Sequence, residues 1–126
     1  MRVRIYYHHT DCGGVVYYAR YLDFLEEGRT EYMEKRGAAV GDLAKQGIFF
    51  VVARQEVDYK APAFYGDVLD IDTRVTETGA AKAVFECEIR NQNGKTIAKA
   101  KTVLVFVDKE LKPRAIPQEI KEKLAG

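Results

Sequence analysis

Residues 17–37, YYARYLDFLEEGRTEYMEKRG, read as one long helix, and that helix constrains everything around it. Tyr18, Tyr21, Leu22, Leu25, Tyr32 and Met33 recur at spacings of three, four and seven, which gathers them on one helical face. Lys35 and Arg36 suit a helix C-terminus, and Gly37 supplies the stop. At ~1.5 Å per residue, about nineteen residues span roughly 28 Å. Phe24 and Gly28 add to a broad apolar surface, so the helix is expected to be covered on more than one side.

Strand patterns flank this helix unequally. Before it, RVRIYYHH (residues 2–9) is rich in Val, Ile and Tyr and reads as one strand ending in a histidine pair. After it, GAAVGDLAKQG (37–47) suggests a short helical turn. Four long stretches follow: IFFVVARQEVDY (48–59), DVLDIDTRVTETG (67–79), KAVFECEIRNQNG (82–94) and KTIAKAKTVLVFVD (95–108). In the second, Leu69, Ile71, Thr73 and Val75 alternate with Asp70, Asp72, Arg74 and Thr76. In the third, Phe85, Cys87 and Ile89 oppose Glu86, Glu88 and Arg90. Asn93-Gly94 is a hairpin signal, and PQEIKEKLA (117–125) reads as a short closing helix with Pro117 near its first turn. The order strand, long helix, four strands joined mostly by tight turns defines an α+β chain with an antiparallel sheet. One helix cannot cover both faces of five strands. An exposed apolar face or edge is an aggregation hazard, so a homo-oligomer is expected to cover it.

Bulk properties narrow the function. The 126 residues suit one domain, residues 1–126, with a modest core. Lys+Arg 20 against Asp+Glu 19 leaves +1, without the basic excess of a dedicated nucleic-acid binder. No run approaches the roughly 18 apolar residues of a membrane span. MRVRIYYHHTD lacks the apolar core of a secretory signal, and Cys12 and Cys87 read as reduced thiols, so a cytoplasmic protein is expected. The chain contains no serine, which excludes every serine-nucleophile scheme.

The chemistry concentrates in YYHHTDCGGVVYYARYLDF, residues 6–24. HHTDC holds the residue types of a zinc site. His8 and His9 are adjacent on the expected strand, however, and point to opposite faces. They are also the only histidines, so no metal site is expected. Cys12 precedes the helix, where its thiolate would be favoured, but Cys-His enzymes usually draw these groups from distant segments. Cys87, between Phe85 and Ile89, reads as core. Asp11 lies about six residues before the helix pattern, too early for an ordinary N-cap. Gly13 and Gly14 permit positive φ and close approach by another group. A carboxylate facing the free N–H groups at a helix start makes a workable acyl-transfer centre. A carboxylate that only orders its loop remains the alternative.

TDCGGVVYYARYLDFLEEGRTEYM resembles the active-site segment of the 4-hydroxybenzoyl-CoA thioesterase family, most closely its YbgC-like acyl-CoA thioesterases. FFVVARQEVDYKAPAFYGDVLDI resembles the family's strand, Pro turn and Gly-Asp turn, and VLVFVDKELKPRAIP its last strand and ending. The resemblance covers nearly the whole chain. It implies the hotdog fold, a long central helix wrapped by a five-stranded antiparallel sheet. It also implies homodimers joined sheet edge to sheet edge, often paired into homotetramers, with active sites at the dimer interface.

By that resemblance, Asp11 is the catalytic carboxylate that attacks the thioester carbonyl or activates a water. Tyr18 matches the residue whose backbone N–H holds the thioester oxygen. Many YbgC-like members have a histidine there, which this chain lacks. Gly14 belongs to the glycine pair that lets substrate approach. Glu26 matches an acidic position facing the acyl pocket in some members, though an ion pair with Arg29 or a neighbouring base is the plainer reading. Arg54 and Lys60 are candidates for the phosphates of CoA, against a solvated strand surface.

The resulting expectation is an acyl-CoA thioesterase without metal or cofactor. The alternatives are a non-catalytic acyl-CoA-binding oligomer and a hydroxyacyl-thioester dehydratase. Dehydratases on this fold lean on a histidine in the helix region, and this helix has none. The sequence leaves the acyl group open, and also the choice of CoA or acyl carrier protein as its carrier.

Overall fold

The computed structural model describes residues 1–125. Five strands form one antiparallel sheet in the order β1-β3-β4-β5-β2. They are β1 (Arg2–Arg4), β2 (Phe49–Tyr59), β3 (Val68–Thr78), β4 (Lys82–Arg90) and β5 (Thr96–Val107). The long helix α1 (Arg20–Lys35) lies across the hollow of the sheet. Two short helices, α2 (Val40–Lys45) and α3 (Gln118–Ala125), accompany it. This is the hotdog fold.

The alternation seen in β3 and β4 decides which side of the sheet receives α1. Leu69, Ile71, Phe85 and Ile89 are buried, together with Ala98, Ala100 and Leu104 of β5. Against them α1 buries Tyr21, Phe24, Leu25, Gly28 and Met33. Gly28 marks the closest approach. A Cβ at that position would stand 2.7 Å from Thr73 Oγ1 and 2.9 Å from Ile71 Cγ2. Under the far end of α1, Met33, Leu43, Phe85, Phe106, Ile120 and Leu124 form a second cluster that α2 and α3 help to close.

Two expectations need correction. β1 stops at Arg4 and does not run to His9. Its register pairs Arg4 with Val68, the first residue of β3, so the strand ends where its partner does. The chain then turns through a 3₁₀ helix, Tyr7–His9, in which His9 Nδ1 accepts the Tyr6 N–H at 2.9 Å. His8 and His9 therefore do not face opposite ways; their ring centroids lie 4.0 Å apart.

The helix also starts later than its pattern. Tyr18 is exposed at 62% and Leu22 at 44%, while Phe24 and Gly28 are buried. The Arg20 N–H bonds to the Tyr17 carbonyl at 2.9 Å in a tight turn, and α1 proper is 16 residues long.

The uncovered face of the sheet is charged along part of its length and apolar around Val51, Val103 and Val105. The registers line up Asp72, Glu88, Lys99 and Asp58 in one row, and Arg74, Glu86, Lys101 and Glu56 in the next. These two rows of mixed sign tolerate water. The outer edge of β2 has no strand partner, and on it Val51 is exposed at 42% and Val52 at 51%.

Candidate active site

Residues 10–16 form a small hairpin around Asp11. Thr10 bridges Val16, and the Asp11 N–H donates to the Val15 carbonyl at 3.0 Å. The Gly14 N–H returns to the Asp11 carbonyl at 3.1 Å. Gly14 takes φ +80°, a backbone conformation that side chains disfavour. The Gly13 N–H donates to Asp11 Oδ1 at 2.7 Å. A Cβ on Gly13 would sit 3.1 Å from that same oxygen. Gly13 therefore answers to the carboxylate's position, and Gly14 to the turn of the backbone. Asp11 itself is exposed, and among the described residues its second oxygen has no hydrogen-bond partner.

The hairpin is held by the connection between β2 and β3. Val15 bridges Phe64, and the Val16 N–H donates to the Ala63 carbonyl at 2.8 Å. Phe64 sits in a turn that Asp67 closes, its Oδ2 accepting the Phe64 N–H at 2.9 Å. Gly66, at φ +87°, donates to the Ile5 carbonyl, and the Ile5 N–H donates back to Asp67. The APAFYGD stretch thus fixes the Asp11 loop from below.

Directly after the loop comes the start of α1. The N-cap position is Ala19, and no side chain caps the helix. The Tyr17 N–H is used by the His9 carbonyl at 2.9 Å. Among the described residues, neither the Tyr18 nor the Ala19 N–H donates to any protein acceptor. An uncapped helix start with free N–H groups favours a negative oxygen. Around it lies an exposed aromatic group. Tyr17 and Tyr18 ring centroids are 4.9 Å apart, and Tyr59 stands edge-on to Tyr18 at 6.3 Å and to Tyr21 at 5.4 Å.

The other expected site residues are placed as follows. Glu26 does not pair with Arg29. It accepts the Thr30 hydroxyl at 3.1 Å, one turn along the helix. Arg29 is half-buried and donates to the Thr102 hydroxyl at 3.4 Å, and burial lowers its pKa. Thr102 in turn donates to Gln55 Oε1 at 2.7 Å. Arg54 pairs with Glu56 at 2.6 Å on exposed strand surface. Cys12 is exposed. Cys87 is half-buried, and burial pushes its thiol up to about 11. His9 stands edge-on to Phe24 at 5.3 Å, and burial together with His8 lowers its pKa. Among the described residues no three His, Cys, Asp or Glu side chains gather as a metal site would need.

Sequence reasoning passed over Tyr59, Ala63 and Phe64 as individual residues. They lie inside VDYKAPAFYGD, but nothing in their spacing says that this turn carries a loop nearly fifty residues upstream.

One antiparallel sheet wrapped against a single long helix defines a hotdog-fold protein. The chain belongs to the thioesterase-like superfamily, which it matches over residues 5–124. It is 39% identical over 119 residues to the acyl-CoA thioester hydrolase YbgC of Escherichia coli O6:H1, covering 94% of this chain and 89% of that one. It is 40% identical over 121 residues to the acyl-CoA thioesterase YbgC of Haemophilus influenzae, covering 94% and 88%. Among solved structures, a probable thioesterase from Bartonella henselae superposes with a TM-score of 0.87 at 34% identity, covering 93% of this chain and 97% of that one.

Proposed function

We propose that this protein, a single domain over residues 1–126, hydrolyses acyl-CoA thioesters to free acid and CoA. The YbgC relatives support the activity. The observation that carries the mechanism is the pairing of two features in one segment: the Asp11 carboxylate on its glycine turn, and the free Tyr18 and Ala19 N–H groups that follow it. The thioester carbonyl lodges against the Tyr18 N–H, where the helix start stabilises the oxyanion. Asp11 then acts in one of two ways. It attacks the carbonyl and expels CoA thiolate, leaving an anhydride that water cleaves. Otherwise it takes a proton from a water that attacks directly. Both routes consume one water and release acid and thiol. Neither calls on a metal.

The aromatic group around the helix start receives the acyl chain, with Glu26 farther along the same helix. Gly14 leaves the loop backbone open to substrate, and Arg54 is the candidate partner for the phosphates of CoA. Asp11 and Tyr18 both lie on exposed surface in one chain. A site this open excludes no water, so it is completed by a second copy paired along β2, as a dimer or a dimer of dimers in the cytoplasm. Among the described residues no helix is long and apolar enough to cross a membrane.

One observation favours a second reading. Asp11 Oδ1 already accepts the Gly13 N–H at 2.7 Å, as a loop-ordering aspartate would. In that case the protein binds acyl-CoA without hydrolysis. A panel of acyl-CoAs assayed with a thiol-reactive dye separates the two. Cys12 contributes a fixed background, whereas turnover releases thiol in excess of protein. Absence of turnover across short aliphatic, hydroxylated, aromatic and long-chain CoAs contradicts the proposal.

A further inference from the structure

The turn that opens α1 leaves one carbonyl without its helical partner. The Arg20 N–H bonds to Tyr17, and the Leu22 N–H bonds to Ala19 at 3.1 Å. Both are three-residue steps, so the Leu22 N–H that an α-turn would give to the Tyr18 carbonyl goes elsewhere. The Tyr18 carbonyl is taken by the Tyr59 hydroxyl, which donates to it at 3.0 Å from the last residue of β2. This bond spans 41 positions in sequence. It joins the edge strand to the backbone whose N–H groups are free.

We infer that Tyr59 is a positioning residue of the thioesterase site, holding the Tyr18–Ala19 peptide so that the free N–H groups at the helix start keep their aim. The inference rests on the hydrolytic reading above. Three features support it. First, a hydrogen bond into a peptide carbonyl polarises that unit and makes its N–H, here that of Ala19, a stronger donor. Second, the Tyr59 ring is braced edge-on against both Tyr18 and Tyr21, so the hydroxyl is held in place. Third, burial and the neighbouring Tyr18 raise the Tyr59 pKa, so the phenol remains a proton donor across the working range. The tight turn directs two N–H groups away from the helix ladder. Tyr59 compensates the carbonyl that this arrangement strands.

The test is Tyr59→Phe, which keeps the ring packing and removes only the hydroxyl, alongside Tyr59→Leu, which removes both. Misplaced oxyanion donors cost rate and not ground-state affinity. Tyr59→Phe is therefore expected to lower kcat on the order of tenfold, with KM within about twofold and the urea midpoint near that of the parent. Tyr59→Leu should lose kcat at least as far and also lose stability. Unchanged kcat in the Phe variant, or a risen KM with kcat intact, overturns the inference. The second result would make Tyr59 a substrate contact. A parent that hydrolyses no acyl-CoA overturns the thioesterase reading and this inference together. A parent that hydrolyses normally beside an unimpaired Phe variant overturns only this one.

Discussion

Replacing Gly28 by alanine tests how closely α1 is seated on the sheet, and two opposing effects set its size. In an exposed helix interior the change stabilises, because alanine is favoured over glycine by roughly 0.8–1 kcal/mol. At Gly28 the added Cβ meets Thr73 Oγ1 at 2.7 Å and Ile71 Cγ2 at 2.9 Å. Those distances fall roughly 0.7–1 Å short of ordinary contact. Both neighbours are β-branched side chains on a strand and are stiff at χ1, so neither swings aside freely. Helix or strand must move. Overpacking of this kind costs about 1–3 kcal/mol, which outweighs the propensity gain and leaves a net loss of about 1 kcal/mol. Gly41, near the start of α2, is the control. Its Cβ position has nothing within 4 Å, so Gly41→Ala should be neutral or stabilising by up to about 1 kcal/mol. Urea unfolding at one fixed protein concentration reads both, since an oligomer's stability depends on concentration. With m of about 1–3 kcal/mol/M, the Gly28 midpoint should fall by about half a molar. Gly28→Ala at or above the parent, in step with Gly41→Ala, would refute the steric argument.

Two further outcomes follow from the surface. Val51→Lys combined with Val52→Lys places a charge on each side of the β2 edge. We expect sedimentation to report a monomer for this variant and a dimer or tetramer for the parent, with hydrolysis lost together with assembly. A monomeric parent with full activity would contradict the shared site. Glu27 has its pKa raised from 4.5, first by burial and then by Asp23, Glu26 and Glu31. A raised carboxylate is penalised while ionised in the folded state, so its contribution to stability is present below pH 4.5 and lost as pH rises through its folded pKa. Glu27→Gln should therefore have a higher urea midpoint than the parent at pH 7, and the gap should close as pH falls toward 4.5. A gap that persists in acid would assign the gain to something other than charge.

The architecture was readable where side-chain period and burial coincide. Leu69, Ile71, Phe85 and Ile89 alternate with charges, and the same alternation places them on the buried side of β3 and β4. Reading was weakest where a tertiary partner decides the outcome. Val, Ile and Tyr in residues 2–9 suit a strand, yet β1 ends with its three-residue pairing to β3. Tyr18 and Leu22 satisfy a helical spacing but remain exposed, because period alone does not say how much of an apolar face the sheet reaches. Asp11, Gly14 and Tyr18 could be named from one contiguous motif. Tyr59 could not, because its bond to the Tyr18 carbonyl joins residues that only the fold brings together.

Hydrolysis by the Asp11 carboxylate is tested most directly by Asp11→Asn. Asparagine keeps a side-chain oxygen for the Gly13 N–H, so the loop should keep its shape. It can act neither as nucleophile nor as base. Measured with an acyl-CoA that the parent turns over, kcat should fall by at least about 10²–10⁴-fold. KM should move far less, because the N–H groups at the helix start remain. An asparagine variant that folds, assembles and hydrolyses within a few-fold of the parent would reduce Asp11 to a residue that orders its loop.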